Sequence, residues 1–146
     1  MQDLWNFAVR LYARPGVEDA CLQLQEAGGD VCLLLAGAWL QRRGVPCRAP
    51  YLKALQALAE PWQREVVAPL RQLRRDWRTA AAADAELATL RERIKQLELE
   101  AERLLLQRIE TLVENWPREG GEDDWLSRLA GDDSAALQVL RGAADS

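Results

Sequence analysis

"DAELATLRERIKQLELEAERLLLQRIETLVENW", residues 84–116, is the stretch on which the fold turns. Leu87, Leu90, Ile94, Leu97, Ala101, Leu105, Ile109, Leu112 and Trp116 recur at steps of three and four, as one face of a helix requires. The early part is heptad-like. The consecutive fours from Leu97 to Ile109 are a stutter that locally unwinds a supercoil. Such a stripe can be covered by a second copy, giving a coiled-coil homodimer through 84–116, or by the preceding segment folded back as an antiparallel hairpin. The hairpin is the simpler arrangement.

The preceding segment, "PWQREVVAPLRQLRRDWR" (61–78), is the candidate partner helix. At about 100° per residue, Trp62, Val66, Leu70, Leu73 and Trp77 fall on one arc and form an expected core stripe. Arg64, Arg71, Arg74, Arg75 and Arg78 fall on another, away from Glu65 and Asp76. Pro69 removes a backbone donor and predicts a kink or break. The chain carries a net charge of −4, so this basic band is local. The acids of the next helix include Glu86, Glu92, Glu98 and Glu102. Three uses of the arginines stay open. They face solvent or pair with those acids; they dock a protein partner or acidic peptide; or they bind phosphate on nucleic acid or ribosome. Against the last stand a pI of about 5.0 and the lack of an aromatic side chain among the arginines for bases to stack on.

Upstream, capping and turn residues divide residues 1–60 into short helices. Asp3 caps a first helix to about Arg14, and Pro15 suits the first turn of a second that stops at Gly28-Gly29. Asp30 caps "VCLLLAGAWL" (31–40), which ends before Gly44. That run has ten residues against the ~20 a bilayer span needs, so it reads as a buried core helix. Pro50 opens a fourth helix, expected to stop near Glu60 because Pro61 follows. Beyond "WPREGGEDD" (116–124), one or two short helices capped by Asp124 and Asp133 precede a polar end expected to fray.

Composition narrows the chemistry. There are 146 residues, enough for one domain, and alanine, leucine, arginine and glutamate dominate, which favours helix throughout. No histidine is present, which removes the commonest general base and metal ligand. Cys21, Cys32 and Cys47 form no CxxC pair, so no zinc site is expected. They suit a reducing compartment, and the acidic Met1-Gln2-Asp3 start lacks the basic region of an export signal. Glycine-rich phosphate loops and a GxSxG elbow are absent. The clusters "GEDDW" (121–125) and "GDDS" (131–134) read as helix caps rather than cation sites. No cofactor is called for, and an enzyme is not the expectation.

Three blocks carry a resemblance. They are "LWNFAVRLYARPGVEDACLQLQ" with Leu4, Trp5, Phe7, Tyr12, Pro15, Gly16, Val17, Cys21, Leu22 and Gln25; "DVCLLLAGAWL" with Asp30, Val31, Leu34, Leu35 and Trp39; and "W…VVAPLRQLRR" with Trp62, Val66, Val67, Pro69, Leu70, Arg71, Arg74 and Arg75. Over about residues 3 to 95 the chain resembles an uncharacterised family of small proteobacterial proteins, classed only as a domain of unknown function. Cys32 stands where that family carries a polar residue, often asparagine. The resemblance implies a bacterial, cytoplasmic, helical protein and brings no activity.

The expectation is therefore an all-α single-domain bundle of about six helices with a long helix pair in its C-terminal half. Residues 1–60 would pack short helices around 31–40, residues 61–117 would form the hairpin, and 118–146 an acidic tail. The function expected is that of a cytoplasmic, non-enzymatic interaction or adaptor protein whose partner face is Arg64, Arg71, Arg74, Arg75 and Arg78. One alternative is a regulatory protein binding nucleic acid or ribosome. The other is a small ligand-binding or enzymatic domain with a pocket lined by Trp5, Trp39 and Trp62.

Overall fold

Residues 3–120, 124–131 and 134–145 are described by the structure, a computed structural model. They form α1 (Leu4–Tyr12), α2 (Val17–Glu26), α3 (Val31–Arg42), α4 (Ala49–Trp62), a π-helical turn (Gln63–Val67), α5 (Ala68–Asp76), α6 (Arg78–Ala82), α7 (Ala85–Val113), α8 (Trp125–Ala130) and α9 (Ala135–Asp145). No strand occurs among the described residues, and the all-α class holds.

The centre is α3. Asp30 starts it by accepting the Leu33 N–H at 3.1 Å, and every residue from Val31 to Leu40 is buried. A helix apolar all round must be enclosed on every side. Here α1, α2, α4, α7, α8 and α9 all pack on it. Gly37 admits α8 closely, since a Cβ there would stand 2.5 Å from Leu129 Cδ1.

The short C-terminal helices expected there close this core, and where a fraying polar end was expected, α9 stays helical to Asp145. Trp125 is wholly buried and its indole N–H donates to the Val45 carbonyl at 2.8 Å. Leu126, Leu137 and Leu140 are buried with it, and α9 lies along α2. Asp124 caps α8 as expected, accepting the Ser127 N–H, and its other oxygen accepts from Arg141 at 2.7 Å. At the start of α9 the Ser134 hydroxyl accepts the Leu137 N–H. Asp133, expected as that cap, lies outside the described residues, as do 121–123 and 132 of the aspartate clusters.

Two proline expectations change. Pro15 lies in the turn before α2, where Gly16 takes the left-handed conformation at φ +81° as N-cap. At the other, α4 does not stop at Glu60 but runs through Pro61 to Trp62 and passes into the π-helical turn. There the Ala68 N–H reaches back five residues to the Gln63 carbonyl. The widened turn sits immediately before Pro69, where an α-helix would crowd the ring against the preceding turn.

That extra residue has a large geometric effect. An insertion into an α-helix rotates everything beyond it by about 100° relative to what precedes it. The stripe drawn through Trp62, Val66, Leu70, Leu73 and Trp77 assumed an unbroken α-helix. No residue of α5 is fully buried; Leu70, Leu73 and Trp77 are half-buried, and so are Arg71 and Arg74. The rotation carries those two arginines onto the inward side.

Opposite them runs α7, started by Asp84, which accepts the Glu86 and Leu87 N–H groups. It folds back along α5 and α6 as the second arm of a hairpin, and its C-terminal half continues across α1, α3 and α4. Its buried side is Glu98, Ala101, Leu105, Leu106, Ile109 and Val113. Leu90 and Leu97, placed on the inner stripe by spacing, are 47% exposed. Leu112 is exposed as well, and Trp116 lies past the helix end, its ring stacked on Tyr51 with centroids 4.1 Å apart. Among the described residues no helix is long and apolar enough to cross a membrane.

Candidate functional site

Between α5 and α7 lies a compact ion cluster. Glu98, only 6% exposed, receives Arg74 in a two-point grip, Nε to Oε1 at 2.7 Å and Nη2 to Oε2 at 3.2 Å. Arg71 Nε stands 3.4 Å from Oε2 and makes no hydrogen bond. A buried carboxylate needs such compensation. The Glu98 hydrogen bond in turn raises the Arg74 guanidinium pKa. On the outside of the hairpin Arg91 Nε donates to the Arg74 carbonyl at 2.8 Å, which fixes the arm's backbone.

Next to this cluster opens a cavity of about 450 Å³. From α1 come Trp5, Ala8, Val9 and Tyr12; from α2, Cys21, Leu22 and Gln25, with Glu18 at its start. From α3 come Val31, Cys32 and Leu35; from α7, Glu98, Leu99, Glu102 and Leu106, with Arg74 reaching in from α5. The α1 end of this wall is held in place because the Leu4 N–H donates to Glu110 Oε1 at 2.6 Å. A second, more open depression is lined by Gly28, Gly29, Asp30, Gln63, Arg64 and Arg71. The ion cluster stands between the two.

Glu102 lies one turn beyond Glu98. It makes no hydrogen bond or ion pair within 4 Å among the described residues. Burial pushes its carboxyl up to about 7, the Glu98 charge adds to this, and Arg71 and Arg74 pull the other way. Of two carboxyls four residues apart, one is gripped by guanidiniums and the other is left without an ion pair among the described residues. Burial also pushes Tyr12 up to about 12, reinforced by Cys21, Glu18, Glu102 and Glu98. The cavity's thiols are inert as nucleophiles: burial raises Cys21 to about 11 and Cys32 further above its ordinary value. Asp30 is raised by burial against hydrogen bonds from Leu33 and Gln63. Among the described residues no group of histidine, cysteine and carboxylate side chains could hold a metal ion.

The candidate residues from the sequence are thus divided. Arg71 and Arg74 turn inward to Glu98, one of the acids named as a partner. Arg64 is exposed and meets only Glu65, at 3.6 Å. Arg75 and Arg78 are exposed and make no ion pair among the described residues. Trp5 lines the cavity, with Arg103 over its ring at 4.9 Å. Trp39 is buried in α3 beneath Arg43, and Trp62 is pinned to α7 by its indole N–H on the Ala101 carbonyl at 2.9 Å. The three tryptophans do not share a pocket. Sequence reasoning missed Glu102 as a cavity group. The steps back from Val113 through Ile109 and Leu105 lead equally to Ala101 and Leu97 or to Glu102 and Glu98, so spacing alone does not pick the inner face.

The model of a family described as protein of unknown function (DUF2390) matches residues 3–109. The chain belongs to that family. No curated protein and no solved structure matches it. The DUF2390 match takes in every residue named above as lining the cavity and the hairpin up to Ile109, while α8 and α9 lie beyond it.

Proposed function

We propose that this protein is a small-molecule-binding domain whose site is the cavity among α1, α2, α3 and α7. The observation that carries the reading is a cavity of about 450 Å³, largely apolar, into which the unpaired Glu102 carboxyl faces. Binding sites for small organic ligands combine an apolar body with a few polar groups in just this way. The test uses a neutral probe. Titration with 1-hexanol, followed by methyl-resolved NMR, is expected to perturb Ala8, Val31, Leu35 and Leu106 together. Leu22→Trp, at an exposed position on the rim, is expected to block the effect without unfolding the protein. Shifts scattered over the surface, or none, would remove the reading.

A second reading retains a protein partner, and a specific observation favours it. Arg75 and Arg78 flank the half-buried Trp77 at the outer end of the hairpin, with no carboxylate paired to them among the described residues. Exposed arginine beside an aromatic ring is the composition of interface hot spots. Capture from native lysate by wild type and by Arg75→Glu/Arg78→Glu should then give different partner lists; identical lists would end this reading.

A further inference from the structure

Glu18, Glu98, Glu102 and Arg74 line the cavity; Arg71 stands beside Glu98, and Arg103 lies over the Trp5 ring. Glu98 is already satisfied by Arg74 and Arg71. Glu18 is exposed at the rim. Of these acids, Glu102 is the one that faces the interior with no hydrogen bond or ion pair among the described residues. The Cys21 thiol, 2% exposed and also without a hydrogen-bond partner among the described residues, adds a second unsatisfied group to the same wall.

We infer that the cavity takes an organic cation, an ammonium group carried on an apolar body, with the ammonium on the Glu102 carboxylate and the body against Trp5, Val31 and Leu35. This rests on the cavity being a ligand site, as proposed above. Two observations point to this class. Apolar side chains from four helices supply most of the wall, which selects for a hydrocarbon body. The acid facing the interior without an ion pair among the described residues is a carboxyl, which disfavours an anion of the same shape.

The groups facing Glu102 set its response. From α1 there is Tyr12; from α2, Glu18 and Cys21; at and within α3, Asp30 and Cys32; from α5, Arg71 and Arg74; and on α7 itself, Glu98. The net effect leaves Glu102 part-protonated near neutral pH. A cation arriving beside it favours the ionised form, so binding expels a proton into solvent. The ammonium itself stays protonated there, as a lysine amine does. Affinity therefore rises with pH across about 6 to 8.

The test compares three probes of one shape on the full chain by isothermal titration calorimetry: hexylammonium, 1-hexanol and hexanoate. Hexylammonium is expected to bind about tenfold more tightly than 1-hexanol, the scale of a charge-assisted hydrogen bond, and hexanoate more weakly than either. Glu102→Gln, which mimics the neutral carboxyl, should abolish the preference for hexylammonium over 1-hexanol. On wild type alone, the hexylammonium enthalpy should vary with the buffer's ionisation enthalpy as a proton is released. Equal binding of hexylammonium and 1-hexanol, tightest binding of hexanoate, or a preference that survives Glu102→Gln would overturn the inference and leave the cavity standing. Binding of none of the three would take down the cavity reading itself.

Discussion

The two helices α3 and α5 both pack on α7 and are held by different physics. Ten successive residues of α3 are buried, and six other helices pack on it. No residue of α5 is fully buried, and its firmest attachment is the two-point grip of Arg74 on Glu98. One region is stabilised by area removed from water, which tolerates changes of detail. The other depends on geometry within a few tenths of an ångström. The cavity draws on both: Val31, Cys32 and Leu35 of α3 form part of its apolar wall, and Arg74 of α5 holds Glu98 at its edge.

The largest effect should come from the first region. Trp125→Ala removes a wholly buried ring and leaves the Val45 carbonyl without its donor. A loss of about 4 kcal/mol is expected, read as a fall in the urea midpoint. If α8 were a loosely attached appendage, the midpoint would hardly move. Glu98→Ala probes the second region. Removing one partner of a buried ion cluster leaves Arg71 and Arg74 facing each other uncompensated, for a loss of about 3 kcal/mol. Hydrogen exchange should show the loosening confined first to α5 and the start of α7, because α3 does not depend on it.

What could be read from the chain follows the same division. Asp3, Asp30 and Asp124 were legible as caps because a cap is made within three residues of itself. The enclosure of 31–40 was legible because a run with no polar face has only one stable place. The inward turn of Arg71 and Arg74 was not, because it hangs on one inserted residue at Gln63–Val67. Pro69 announced a disturbance there but not its sense, and a kink away from α7 would have satisfied the same proline. Glu102 was hidden for a related reason. On a helix with leucines at 97, 99, 104, 105 and 106, the inner face is ambiguous until its partner is known.

A smaller effect should appear in the pH dependence. In the unfolded chain Glu102 ionises from about its ordinary 4.5, whereas in the fold burial delays this to about 7. Between those values the folded state binds more protons, so this group makes stability fall as pH rises through the window. Below it both states are protonated and the contribution vanishes. Glu102→Gln should flatten that slope and be more stable than wild type near about pH 8, by about 2 kcal/mol. Asp30 is also raised by burial, so its own slope should persist in the variant and serve as the internal control. A variant as steep as wild type would place the responsible proton elsewhere.

The smallest effect is the sharpest comparison, because it sets neighbours against each other. Arg74 and Arg75 are adjacent in sequence, and only Arg74 meets a buried carboxylate. Exposed cations without a partner contribute little to folding, so Arg75→Ala and Arg78→Ala should each change stability by less than about 0.5 kcal/mol. Both side chains are exposed, which leaves little packing to lose. The measurement is the urea midpoint of each single variant beside that of Arg74→Ala. A cost at Arg75 equal to that at Arg74 would mean that the helix beyond Gln63–Val67 is not rotated as described, since both side chains cannot face α7 across a single turn.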